Sequence, residues 1–174
     1  MPAEAKKQLF YEDVEIGQNI TPLVKGPMTT SHLMRWSAAI ENWHRIHYDR
    51  RFAIEHDTLP DVLVAGSWKQ QALVQMLKDW CGEGGWLWKI SYQFRAMDPV
   101  GATLTCWGRV TDKYVRGGLG FVACEIGMRN QDSQETTPGT AVAVLPLRDG
   151  RPVPYPFVLP EETGTRSRRV FTQP

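Results

Sequence analysis

The chain has few cysteines, and their spacing suggests no pairing: Cys81, Cys106 and Cys124 are scattered and odd in number. This argues against a disulfide framework or a zinc knuckle and points to buried thiols in a reducing compartment. No apolar run approaches the roughly 20 residues that a membrane-spanning helix needs. The opening MPAEAKKQLFYEDVEIG has two lysines but no apolar core behind them, so no secretory signal is expected. Charge is nearly balanced, at +1 net, so no global field draws the chain to nucleic acid or to an anionic membrane. Internal repeats and low-complexity tracts are also missing. A cytoplasmic protein with neither nucleic acid nor membrane as partner is expected.

At 174 residues, the length suits one domain with a sizeable core. A hydrophobic fraction of 42% and a charged fraction of 22% are ordinary for a globular protein. Seven tryptophans and twelve prolines are more than usual. Tryptophan offers large apolar area with one polar handle, which suits an interface or a ligand tunnel as well as a core.

The hydrophobic pattern changes period once. TTSHLMRWSAAI predicts a helix capped by Thr29, Thr30 or Ser31, with Leu33, Trp36 and Ile40 on one face. A second short helical piece is expected around Arg50 to Glu55. The strongest helix signal follows LPDVLVA: Gly66 and Ser67 open it, Leu73, Met76, Leu77 and Trp80 form an apolar stripe with Val74 beside it, and glycines follow Trp80. Beyond it the period falls to two. WLWKISYQFRA, ATLTCWGRVTDKYV, LGFVACEIGMRNQ and TTPGTAVAVLPL read as four strands, the last three forming an antiparallel meander. YEDVEIGQNITPLVKGPMT adds a turn at Gly17 and a short extended segment near the N-terminus. The class is α+β, a sheet wrapped round one long helix. Residues 1–147 are expected to form the domain. Residues 148–174, rich in proline and arginine and without a period, are expected to form a tail on the surface or on a partner subunit.

The densest chemistry lies in ENWHRIHYDRRFA, where His44 and His47 stand three residues apart between Asn42 and Asp49. Histidine titrates near working pH and suits proton transfer. A histidine that only holds a turn is the plain alternative. His44, His47 and Asp49 also admit a metal reading, since imidazole and carboxylate suit zinc or iron, but no further ligand cluster supports it. No cysteine adjoins a histidine in sequence, so a thiol nucleophile is not expected.

The order of these elements resembles the MaoC-like dehydratases, hotdog-fold proteins that include the (R)-specific enoyl-CoA hydratases. VEIGQNI, KGPMTTSHLMRWSAA, the histidine segment, VLVAG and FRAMDPVGATLTCWGRVT carry the likeness, over roughly residues 10 to 147. The family's catalytic stretch runs Asp-x-Asn-Pro-apolar-His. Here Asn42 stands for the aspartate, His44-Arg45 for Asn-Pro, and the histidine is kept as His47. N-x-H-R-I-H-Y-D is closer to a subgroup similar to hydroxyacyl thioester dehydratases of mitochondrial type and to mesaconyl-CoA hydratases. Where many relatives carry His-Gly before the long helix, this chain carries Ala65-Gly66.

The resemblance implies a hotdog fold with the long helix as sausage, a homodimer or higher homo-oligomer with sites at the subunit interface, and an acyl-CoA substrate. It also implies reversible hydration of a 2-enoyl thioester to the 3-hydroxyacyl thioester by acid-base chemistry. No cofactor is expected beyond coenzyme A as part of the substrate. Water must be activated, a proton delivered to the α-carbon, and the enolate oxygen stabilised. His47 is the candidate acid and base. Asn42 is expected to orient water or substrate, and His44 either to share proton work or to be a structural neighbour. Gly66, with Ser67 beside it, is the expected oxyanion and substrate-binding group, against the alternative of a glycine kept for close packing. Arg95 could meet a CoA phosphate, as could Arg166, Arg168 and Arg169; solvated residues are the plain alternative. Two other readings stand beside this one. The chain could be a non-catalytic subunit of a hetero-oligomeric hydratase, given the lost acid. It could also be an acyl-CoA thioesterase, with Asp61 or Glu41 as the carboxylate that chemistry needs.

Overall fold

The computed structural model describes residues 8–161; Arg166, Arg168 and Arg169 lie outside them. Five strands form one antiparallel sheet: β1 (Asn19–Lys25), β2 (Trp86–Tyr92), β3 (Leu104–Arg116), β4 (Leu119–Arg129) and β5 (Gly139–Leu145), in the order β1-β3-β4-β5-β2. Helix α1 is Thr30–Ala39 and helix α2 is Gly66–Cys81. The expected meander is β3-β4-β5. The two remaining strands take the edges, β1 against β3 and β2 against β5.

Helix α2 packs on the inner face of the sheet and touches all five strands. Its stripe is the predicted one. Leu73, Met76 and Leu77 are fully buried, each contributing about 1.5–3 kcal/mol by leaving water, and Leu73→Ala would cost about 2–5 kcal/mol. The helix stops at Gly82, whose φ of +72° suits a residue without a Cβ. From the sheet side, alternate residues Leu104, Cys106, Gly108 and Val110 of β3, and Val122, Cys124, Ile126 and Met128 of β4, meet the helix. This is the hotdog arrangement.

β5 shows no alternation, because both its faces are covered. Ala141, Ala143 and Leu145 face the main core. Val142 and Val144 join Leu119 and Phe121 in a second cluster, on which Trp86, Trp88, Val153 and Phe157 pack. The segment after Arg148 therefore lies on the outer face of the chain's own sheet, as far as Glu161. The Arg151 guanidinium fastens it by donating to the Gly117 carbonyl at 2.9 Å.

All three cysteines are buried and unpaired, and burial pushes their thiols up to about 12. Among the described residues no helix is long and apolar enough to cross a membrane.

Candidate active site

Helix α1 begins at Thr29, whose hydroxyl accepts the His32 N–H at 3.3 Å while the His32 ring accepts the Thr29 N–H at 3.1 Å. Leu33 and Ser37 are its buried residues. Ile40, expected on the same face, is exposed, because the helix ends at Ala39 and the chain turns away there. Glu41 takes a left-handed φ of +52° at that turn, and the Asn42 N–H bonds back to the Ser37 carbonyl at 2.9 Å. The histidine segment leaves from this reversal.

The segment is tightly cross-braced. The Asn42 side-chain oxygen accepts the His44 N–H at 3.2 Å, an Asx turn. Arg45 donates to Asp49 through Nε at 3.1 Å and through a terminal nitrogen at 2.7 Å, while lying 4.2 Å over the Phe52 ring. The Phe52 N–H and the Arg45 guanidinium together hold the Asp49 carboxyl below the usual carboxylate range. The Tyr48 hydroxyl donates to the Trp43 carbonyl at 2.8 Å. Arg45–His47 forms one 3-10 turn, and Phe52–His56 a π-helical turn where a short helical piece was expected.

This bracing aims His47 at the core. Its Nδ1 lies 2.9 Å from the Leu63 carbonyl. A carbonyl can only accept, so Nδ1 carries a proton, and in the neutral ring Nε2 is then the nitrogen with the lone pair. The Leu63 N–H in turn donates to the Ile46 carbonyl at 2.9 Å, so residues 46–47 and 63 clasp each other twice. Three residues later the chain enters α2 at Gly66. The first amides of a helix have no partner inside it, and its dipole favours negative charge there. No side chain caps this helix start. A narrow cleft beside His47 is walled by Met28, Leu33, Trp36, Val64, Ala65 and Trp68. The structure thus brings the imidazole and the approach to the α2 N-terminus to one apolar cleft.

The other candidates are placed differently. The His44 ring lies 6.0 Å from that of His47, and its side chain is exposed. The Ser67 hydroxyl accepts the Trp36 indole N–H at 2.9 Å, tying α1 to the start of α2. Arg95 is exposed and lines a separate shallow depression with Gln93, Pro138 and Thr140. Asp61 is engaged, one oxygen accepting the Val62 N–H at 2.8 Å and the other 3.2 Å from Arg50. No group of three or more His, Cys, Asp or Glu among the described residues could hold a metal ion. Gly66 also allows a close approach: a Cβ there would stand 2.6 Å from the Phe94 ring. Sequence reasoning missed Phe94, the Trp36–Ser67 tie and the burial of Lys69. Only the tryptophan-rich composition hinted at the second.

Comparisons with known proteins agree with this architecture. The (R)-hydratase from A. caviae involved in PHA biosynthesis superposes with a TM-score of 0.69 at 22% identity, covering 78% of this chain and 99% of that one. R-hydratase PhaJ1 from Pseudomonas aeruginosa, unliganded, gives 0.72 at 16% identity over 90% and 97%. The ChsH1-ChsH2 complex from Mycobacterium tuberculosis gives 0.65 at 18% identity over 75% and 98%. Identities this low show a shared fold. No curated protein matches in sequence. The hydroxyacyl-thioester dehydratase type 2 family matches residues 3–102, more than half of the chain, and so the chain belongs to that family.

Proposed function

We propose that the protein is a hydro-lyase that reversibly hydrates a 2-enoyl-CoA to the 3-hydroxyacyl-CoA. The observation that carries this reading is the tautomer imposed on His47 by the Leu63 carbonyl, 2.9 Å from Nδ1. Nε2 is left as a base beside a helix N-terminus. In the hydration direction, Nε2 takes a proton from water as the oxygen adds to the β-carbon. The electrons of the C=C bond move toward the thioester, and the Gly66 N–H stabilises the enolate oxygen. The imidazolium then returns the proton to the α-carbon. Asn42 cannot take a proton; with its oxygen on the His44 N–H, its amide N–H₂ is the part that can orient water or thioester. The substrate supplies the coenzyme A, with Arg95 and the basic residues beyond the described chain as phosphate partners. The chain would act in the cytoplasm as a homodimer, supported by the edge position of β2, whose outward backbone groups have no strand partner within the described chain.

A second reading is a non-catalytic subunit of a hetero-oligomer, favoured by the amide at position 42 and by the likeness to a two-component complex. A thioesterase has less support, since Asp61 is already engaged on both oxygens. The test is one spectrophotometric assay of the purified protein with crotonyl-CoA and a longer enoyl-CoA, following enoyl absorbance and free thiol together. Enoyl loss without thiol is expected. Thiol release would replace the reading with a thioesterase. No turnover by folded protein would overturn it in favour of a subunit awaiting its partner.

A further inference from the structure

We propose that the buried Lys69–Asp98 ion pair is a positioning device that fixes the His47 imidazole and the Gly66 N–H relative to each other; this deepens the hydratase reading and rests on it.

Lys69 is 2% exposed and Asp98 1% exposed, and they form a direct salt bridge. The Lys69 ammonium also donates to the Ala96 carbonyl at 3.0 Å. Beyond the ammonium, no donor among the described residues satisfies the Asp98 carboxylate. The pair joins the first turn of α2 to the loop after β2. That loop runs antiparallel to residues 62–64: the Val64 N–H donates to the Asp98 carbonyl at 2.8 Å, and the Val100 N–H to the Val62 carbonyl at 2.9 Å. Leu63 bridges to Pro99 between them. On its other side Leu63 clasps residues 46 and 47. Residues 62–66 are therefore a short rod held from both sides, with the His47 acceptor at one end and Gly66 at the other. Through Asp98, and through the Ala96 carbonyl two residues before it, the Lys69 side chain fastens the outer support of this rod to α2 itself.

Stability alone explains this pair poorly. Replacing a buried ion pair with apolar residues of similar volume is often neutral or stabilising. A charge pair, however, accepts one geometry and one register, whereas an apolar patch accepts several. A small error here is transmitted directly, because a displacement on the order of 1 Å at a reacting group can cost about 10²-fold in rate. The two groups touch no reacting atom; they act through Val64, Leu63 and Gly66.

The experiment compares two double variants, Lys69→Met with Asp98→Leu and Lys69→Gln with Asp98→Asn, against wild type. The apolar pair is expected to fold with a similar melting temperature, to lose kcat by about tenfold or more with KM little changed, and to lose the single His47 Nδ1–H tautomer in nitrogen NMR. The neutral hydrogen-bonded pair should recover most of both signals. Wild-type kcat and an unchanged His47 spectrum in the apolar pair would overturn the proposal. A loss explained by a smaller folded fraction would do the same. A further measurement needs no variant. In the native protein the Leu63 and Val64 amides should exchange as slowly as the buried core of α2; fast local exchange there would refute the pinning. Because NMR and exchange do not depend on turnover, an inactive wild type would sink the hydratase reading while leaving this inference decided on its own evidence.

Discussion

Gly66→Ala separates two reasons for a glycine at the start of α2. An added Cβ would meet Phe94 Cε2 at 2.6 Å and Cζ at 2.7 Å, and the three nearest atoms all belong to that ring. The ring would have to retreat by roughly 1 Å to regain ordinary carbon–carbon contact. Phe94 is half exposed, so it can swing toward solvent at about 0.5–1.5 kcal/mol of rotamer strain. Against this, alanine in a helical conformation gains about 0.4–1 kcal/mol by restricting the unfolded chain. The net change in stability should lie within about 1 kcal/mol, read as the midpoint of urea unfolding. In a Phe94→Ala background the clash is gone, so the same change should stabilise. Alanine keeps the N–H, so kcat in that background should stay within roughly threefold of Phe94→Ala alone if the N–H is what the enolate uses. A loss above about 3 kcal/mol in the single variant would mean that Phe94 cannot move, and the steric argument fails. A stable double variant with kcat down about 100-fold would show that the bare Cα face, not the amide, serves the substrate.

His47→Asn places an amide nitrogen where Nδ1 stands, so the bond to Leu63 can persist while the base is lost: stability should fall by no more than about 1 kcal/mol and kcat by about 10²-fold or more, measured by thermal melting and enoyl-CoA hydration. Asn42→Asp keeps the oxygen that accepts the His44 N–H, so melting should be unchanged, while the added carboxylate should raise kcat severalfold; a folded variant with lower kcat would count against proton work at this position. The buried thiols have pKa values raised to about 12, above their unfolded value near 9. The unfolded chain therefore loses these protons first, and stability should be intact below about pH 8.5 and fall as pH rises toward 12, seen in urea midpoints taken across that range. A thiol-reactive dye should label the cysteines only after denaturant is added.

How far the sequence told this story depends on where each signal sits. The bounds of α2 were legible because glycines mark its start and its end and the stripe between them is strict. The meander was legible because Gly117–Gly118 joins β3 to β4 in a tight turn and the polar NQDSQ turn lies between β4 and β5. The edge strands were not, because nothing local in NITPLVK or WLWKISY says which distant strand each will pair with. Ile40 misled because periodicity continued one step past the true end of α1. TTPGTAVAVLPL read as a strand like the other three, and its cover on both faces was not legible, because the second cover, Val153 and Phe157, comes from a proline-rich stretch with no period of its own. Nothing local marks Lys69 as buried; only the fold brings Asp98 to it.

The site divides the same way. His47 stood out as a residue type, but what sets its ring orientation is a backbone carbonyl, and backbone groups leave no trace in composition. That carbonyl belongs to Leu63, whose amide also holds Ile46 and whose neighbour Val64 is held by Asp98. The carbonyl that holds the proposed base and the amide of the proposed oxyanion donor thus sit on one segment of five residues rather than on two independent elements. Their geometry is correlated as a result: a shift in residues 62–66 carries the Leu63 carbonyl and the Gly66 amide together. It disturbs the separation between the imidazole and the amide only if residues 46–47 fail to follow. The double clasp between Ile46–His47 and Leu63 makes them follow.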